Sequence, residues 1–313
     1  MKAIRIHDYG TFEQLKYEDV PVPEIKDDQI LVKVYTTSVN HLDMKKASGE
    51  AKDTMPIQLP WIPGHDFAGT VEKTGKKVTG FEVGDKVYGN SDGNSYAEYL
   101  AADISKVVLK PESLDFAEAS SVPHVGETAW QAIHTHGQLK SGQKVLIHGA
   151  AGAVGAFAVQ FAKLAGAKIY ATASTEDIDL VKSLGAGTVI DYKTTDFTTV
   201  AEDIDLVLVL VGGNTQEKSY NVIKQGGRLV STTGPILEDL ARDHKVTGVS
   251  MVIKQSAKDL QSITDLINEG KIQTDIALTY PLSEAATGWK VLSGKDSSLP
   301  HVTHGKIVLE VTK

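Results

Sequence analysis

The stretch KVLIHGAAGAVGAFAVQFAKLAGAKIYATAS constrains this chain most, because an apolar strand, a glycine-spaced turn, an apolar helix and a second strand follow one another without a break. Gly149, Gly152 and Gly155 give G-x-x-G-x-x-G spacing. The first permits a tight turn, the second lets the backbone approach a pyrophosphate, and the third lets the helix pack closely on the strand. Ala150 lies between the glycines, and Ala153 and Val154 open the helix whose free N–H groups are placed to hold phosphates. Small residues that only ease packing would explain the glycines, but not the order of strand, turn, helix and strand. A dinucleotide site is the expectation.

The texture on either side of this loop assigns the fold class. Before about Phe116 the chain reads as short strands punctuated by Gly and Pro (KAIRIH, QILVKVYTTSV, FAGTVEKTG, GDKVYG, SYAEYLAA, KVVLKP), with apolar residues near alternate positions. Beyond it, helix and strand alternate: helix Glu127 to His136, strand Lys144 to His148, helix Val154 to Leu164, strand Ala167 to Thr172, helix Glu176 to Leu184 and strand Thr188 to Ile190. Strand Leu206 to Val211, helix Gln216 to Ile223, strand Gly227 to Thr232 and helix Ala257 to Glu269 continue the series. Repeated βα units imply a doubly wound parallel sheet. Helix Glu284 to Leu292 and strand Gly305 to Val311 resemble the opening region and are expected to return to it. The chain is thus read as α/β, with a β-rich domain from residues 1–124 and 278–313, a nucleotide-binding domain from 125–277, and a cleft between them.

Composition narrows the function. The 313 residues carry a net charge of −8, which gives no general attraction to nucleic acid or to an anionic membrane. No run of about 18 apolar residues and no signal-peptide core is present, so a cytoplasmic protein is expected. The chain has no cysteine. Disulfides, thiolate catalysis and thiolate metal ligation are all excluded.

The strand after the glycine loop ends at Thr172-Ala173-Ser174, without the acidic residue that binds the ribose 2′-hydroxyl of NAD. Small hydroxyl residues leave room for a 2′-phosphate, with Ser174, Tyr192 and Lys193 as its partners, so NADPH is the expected cofactor. Glu176 and Asp177 complicate the electrostatics, and Ser174 with Asp177 also reads as an approximate capping box.

The segments VNHLDMKKASG, LPWIPGHDFAGTVEKTG, FEVGDKVYG, TAW, HGAAGAVG, VGG, GGRLV and GKIVL, in this order and spacing, resemble the quinone oxidoreductase branch of the medium-chain dehydrogenase/reductase superfamily over essentially the whole chain. The resemblance implies a GroES-like catalytic domain beside a Rossmann domain, often in a homodimer. By similarity Asn40 and Thr128 lie near the nicotinamide, and Val211 and Gly212 border the cofactor. Asn40 also suits a turn, and Thr128 a helix cap.

Zinc alcohol dehydrogenases share this fold and hold their catalytic zinc with Cys and His. Here Asn40 stands at the expected cysteine, and no thiolate exists to complete the site, so no metal is expected. His65 is then a hydrogen-bonded histidine; a set of His65, Asp66 and Asp43 is the one residual metal alternative. Without a Lewis acid, reduction of an electron-poor quinone or enone is favoured over oxidation of simple alcohols. The sequence departs from the branch pattern at His41, Lys45 and Ala47. Lys45 is the candidate cation for a developing oxyanion, or else a solvated surface charge. His124 and the other isolated histidines receive no role. The competing readings are an alcohol or polyol dehydrogenase with an unusual metal site, and a non-catalytic NADPH-sensing or RNA-binding protein.

Overall fold

The computed structural model describes residues 1–312 and divides the chain into two compact units: Met1–His124 with Gln255–Lys313, and Val125–Lys254. The chain rejoins its first unit at Gln255, earlier than the 278 expected. The helix Ala257–Asn268 belongs with the β-rich unit, where Thr264 on its buried face hydrogen-bonds Tyr88 at 2.7 Å.

In the first unit the strand Gln29–Ser38 is the organiser. It pairs antiparallel with Asp66–Thr74, with Tyr99–Asp103 and with the C-terminal strand Lys306–Glu310. The sheet runs Ile276–Pro281, Lys306–Glu310, Gln29–Ser38, Asp66–Thr74, Lys86–Asn90, Val107–Leu109, and Lys2–Arg5 forms a hairpin with Lys16–Asp19. Alternation explains the pleat: Ile30, Val32 and Val34 turn into a core with Phe67, Val71, Val87 and Leu100. A second core gathers Trp61, Tyr96, Trp289, Ile307 and Leu309. The short helix His41–Ser48, which hydrophobic periodicity does not reveal, follows the central strand directly and buries only Asp43 and Ala47.

The second unit is a six-stranded, all-parallel sheet in the order Thr188–Asp191, Lys168–Ala173, Lys144–His148, Ile204–Val209, Ile223–Ser231, Thr247–Ser250. In sequence rank this is 3-2-1-4-5-6, the doubly wound order whose direction reverses between its first and fourth strands. The helix expected to reach Ile223 ends at Ser219, and Ile223 opens a strand. The helix expected at Glu127 starts at Pro123 and runs to Trp130, where it passes into a π-helix over Gln131–His136. Thr128 is therefore buried inside a helix and does not cap one.

Candidate cofactor and active site

The glycine loop leaves the end of Lys144–His148 at the switch point, beside the end of Ile204–Val209. Gly149 sits at φ +71, and a Cβ there would lie 2.6 Å from the Cγ1 of Val211, so the residues after both strands meet at this turn. A Cβ on Gly155 would come within 2.2 Å of the Gly149 carbonyl oxygen and 2.7 Å of the Ala150 Cα, both backbone atoms. Only glycine lets the helix Ala153–Leu164 approach its own loop this closely. Gly152 caps that helix, and Ala156 is the first residue to bond back to it, at 2.9 Å. The amides of Ala153, Val154 and Gly155 are then the helix's N-terminal donors, at the positive end of its dipole. Thr172 fixes the turn from the neighbouring strand: its carbonyl accepts from Ala150 at 3.0 Å and its hydroxyl from Gly149 at 3.3 Å. Gly212 has no heavy atom near its would-be Cβ and leaves the ground beside the loop open. This backbone cradle fits a dinucleotide pyrophosphate.

The candidate ribose end is more committed than its sequence suggests. The Ser174 hydroxyl donates to Asp177 at 2.5 Å, a side-chain pair in place of the expected capping contact. Lys193 donates to both oxygens of Glu176 at 2.9 and 2.8 Å, and this pairing raises the lysine pKa and lowers that of the carboxylate. Tyr192 is 61% exposed. A 2′-phosphate here would exchange Glu176 for itself as the partner of Lys193.

In the first unit Asn40 lies at the centre of a buried polar network. Its amide nitrogen donates to Asp66 at 2.8 Å, and its amide oxygen accepts from the Lys306 ammonium at 2.6 Å. Lys306 also donates to the Val39 carbonyl at 2.8 Å and stands 3.8 Å from Asp66. Asp66 accepts further from the Ser38 hydroxyl at 2.5 Å and the His124 N–H at 2.7 Å. Burial lowers the pKa of Lys306, with Asp66 and Asp43 opposing, and burial pushes His124 down to about 4. The neighbouring Asp43 accepts from the Asn40 N–H at 3.1 Å, from the Gly64 N–H at 2.9 Å and from His65 Nδ1 at 2.6 Å. Burial works against the Asp43 charge, but His65 and the Gly64 N–H outweigh it and hold the carboxyl below its ordinary value.

Lys45 is exposed, whereas Lys46 turns inward and places its Nζ 3.4 Å from His65 Nε2 and 5.3 Å from the Trp61 ring centre. The helical repeat is the reason, since residues 43 and 46 share one face and residue 45 lies off it. Sequence reasoning named Asn40, and named Asp43 and Asp66 only as possible metal ligands with His65, but missed Lys306 and Lys46. The GKIVL segment is the only trace of Lys306. All four oxygens of Asp43 and Asp66 are taken by protein donors, and among the described residues no group of three or more His, Asp and Glu is placed to hold a metal.

Residues 26–112 match the family described as "Alcohol dehydrogenase GroES-like domain", and residues 184–309 the one described as "Zinc-binding dehydrogenase". The chain is 37% identical to the tomato (Solanum lycopersicum) 2-methylene-furan-3-one reductase over 90% of its own length and 73% of the relative's. It is 34% identical to the NADPH-dependent alkenal/one oxidoreductase, chloroplastic, of Arabidopsis thaliana, over 99% and 79%. The solved quinone oxidoreductase from Coxiella burnetii superposes with a TM-score of 0.90 at 33% identity, covering 100% of this chain and 99% of that one.

Proposed function

The chain belongs to the quinone oxidoreductase branch of the medium-chain dehydrogenase/reductase superfamily, and from that premise we propose that it is an NADPH-dependent reductase transferring hydride to a quinone or an α,β-unsaturated carbonyl without a metal ion. One observation carries the metal-free part. The carboxylates nearest Asn40 have every oxygen committed to a protein donor, so the interior beside Asn40 is filled by a fixed charge network centred on Lys306. Such a network orients Asn40 and holds its amide in one flip state.

Bound NADPH supplies the hydride. The chain's own work is to hold and shield. Gly149, Gly152 and the amides of Ala153, Val154 and Gly155 are assigned the pyrophosphate, with Ala150, Val211 and Gly212 lining the turn. Ser174, Tyr192 and Lys193 are assigned the 2′-phosphate, and Asn40 and Thr128 the nicotinamide end. Fixed donors and excluded water then favour the charge that develops on the acceptor oxygen.

No helix among the described residues is long and apolar enough to cross a membrane. We infer a cytoplasmic enzyme and a homodimer joined through edge strands of the parallel sheet, and light scattering tests the dimer.

The decisive assay is cofactor oxidation by the metal-stripped protein, comparing NADPH with NADH against an ortho-quinone, a short enone and a simple aldehyde. Rapid NADPH oxidation with quinone or enone is expected. Activity with aldehyde alone, and only after zinc is restored, overturns the proposal in favour of a metal-dependent alcohol or polyol dehydrogenase. Cofactor binding without turnover would favour a sensor.

A further inference from the structure

Hydride addition to an enone or a quinone leaves an anion that must gain a proton, and the reading above assigns no residue to that step. We propose that Lys46 is the proton donor, held in position by His65 and Asp43; this rests on the reductase reading and deepens it. The geometry carries the assignment. His65 stands between a buried carboxylate and a lysine, with Nδ1 2.6 Å from Asp43 and Nε2 3.4 Å from the Lys46 Nζ. In the neutral imidazole that donates its Nδ1–H to Asp43, Nε2 is the acceptor, and the Lys46 ammonium is the donor that faces it. A lysine held by one N–H in this way has two others to give. Asp43 is also hydrogen-bonded to the Asn40 N–H at 3.1 Å, so the donor and the proposed nicotinamide-contacting residue hang on one carboxylate.

The surroundings suit an acid. Burial lowers the Lys46 pKa from its ordinary value, opposed by Asp43 and by Asp92, and Lys46 remains part-exposed so that water can restore its proton. The other charged and titratable groups facing this cluster are Asp66 and Lys306 in the Asn40 network, His124 with its ring 6.1 Å from that of His65, and the buried Tyr96 hydroxyl, whose pKa is raised well above the ordinary value by burial and by Asp43. Lys106 pairs with Asp92 at 2.5 Å and partly neutralises it. His65 and Asp43 do not give up a proton in the step. They aim Lys46.

The hydride forms a C–H bond at the β-carbon, the C=C π pair becomes the new double bond between the α-carbon and the carbonyl carbon, the C=O π pair moves to the oxygen, and an N–H bond of Lys46 breaks as an O–H bond forms, giving an enol that tautomerises to the saturated carbonyl in water. The neutral amine then takes a proton from water. For a quinone the proton goes to the hydroquinone oxygen.

The test uses the full chain with a short enone and NADPH. Lys46→Arg is the discriminating variant, because arginine keeps the cation and its place over Trp61 but is too weak an acid to donate. About a tenfold or greater fall in kcat is expected for both Lys46→Arg and Lys46→Met, with unchanged NADPH affinity, and methylammonium should restore part of the loss in Lys46→Met. His65→Gln should raise KM less than it lowers kcat and should move the alkaline limb of the pH–rate profile. In the cofactor-free protein, the pH midpoint for acetylation of Lys46, followed by mass spectrometry, should lie below that of free lysine. Wild-type kcat and an unmoved alkaline limb in Lys46→Arg overturn the assignment, as does an ordinary acetylation midpoint. A wild-type chain inert toward every enone and quinone is a different result, which removes the reductase reading and the assignment with it.

Discussion

The Asp66 and Lys306 pair offers a quantitative test of the charge network. Asp66 is fully buried and the Lys306 side chain is 6% exposed, with 3.8 Å between their charged atoms. At an effective dielectric near 20 their attraction is about 4 kcal/mol. Asp66→Asn keeps the shape but removes the charge, and it turns an acceptor into an NH2 group facing two donors, the Ser38 hydroxyl and the Asn40 amide. Lys306 then keeps the Val39 and Asn40 oxygens but loses its counter-ion. Removing one partner of a buried pair costs about 3–5 kcal/mol, and that is the expected loss. Lys306→Met should cost less, roughly 1–3 kcal/mol, because Asp66 keeps three protein donors. The double variant should recover part of the sum, with a coupling of about 2 kcal/mol. Urea unfolding followed by circular dichroism reads all four proteins at pH 7. A cost below about 1 kcal/mol for Asp66→Asn, or additivity within about 0.5 kcal/mol, would refute the claim that the pair holds the network together.

Gly155→Ala drives a Cβ to 2.2 Å from the Gly149 carbonyl, so the loop must move, and NADPH affinity measured by cofactor fluorescence should fall at least tenfold; unchanged affinity would place the pyrophosphate elsewhere. Lys193→Ala should weaken NADPH by roughly tenfold while leaving NADH unaffected, and equal losses for both cofactors would remove Lys193 from the 2′-phosphate. Turnover should survive exhaustive treatment with 1,10-phenanthroline, and a loss reversed by added zinc contradicts the metal-free proposal. Burial holds His148 at about 3 and His124 at about 4, below the ordinary 6.5, so both bind protons more readily in the unfolded chain. Stability is therefore fully present above pH 6.5 and drains as pH falls from there toward 4, by roughly 3 kcal/mol from His124. His124→Gln should flatten this slope in urea midpoints, and an unaltered slope excludes His124 as its source.

The glycine loop was legible because its signal is local: strand, turn and helix are contiguous, and steric demands at Gly149 and Gly155 leave a spacing in the chain. The central strand Gln29–Ser38 was legible for a similar reason, since alternate burial writes a period of two. The helix His41–Ser48 was not. It buries an aspartate and an alanine and presents no apolar stripe, so the pattern that marks most helices is missing. Ile223 was read as the end of a helix, yet it opens a strand whose parallel pairing with Ile204–Val209 is a tertiary fact. The Asn40 neighbourhood divides in the same way. Asn40 announced itself through a motif, but its partners Asp66 and Lys306 lie 26 and 266 positions away. Lys45 and Lys46 are adjacent and chemically alike, and only the helical phase, fixed by burial of Asp43, turns one of them toward His65.

The discontinuity of the first unit sets a timetable for synthesis. A ribosome delivers residues 1–124 long before their sheet can be completed, because Lys306–Glu310, which pairs with Gln29–Ser38, is made only after the whole of the parallel-sheet unit. The parallel-sheet unit between them is contiguous in sequence and can close on itself while translation continues. Until Lys306–Glu310 is made, the edge of Gln29–Ser38 that it pairs with stays open, and Asn40 lacks its lysine. Ordering of the Asn40 neighbourhood is thereby tied to translation through Lys306: a chain released before that residue has the whole of its parallel-sheet unit but leaves Asn40 without its lysine.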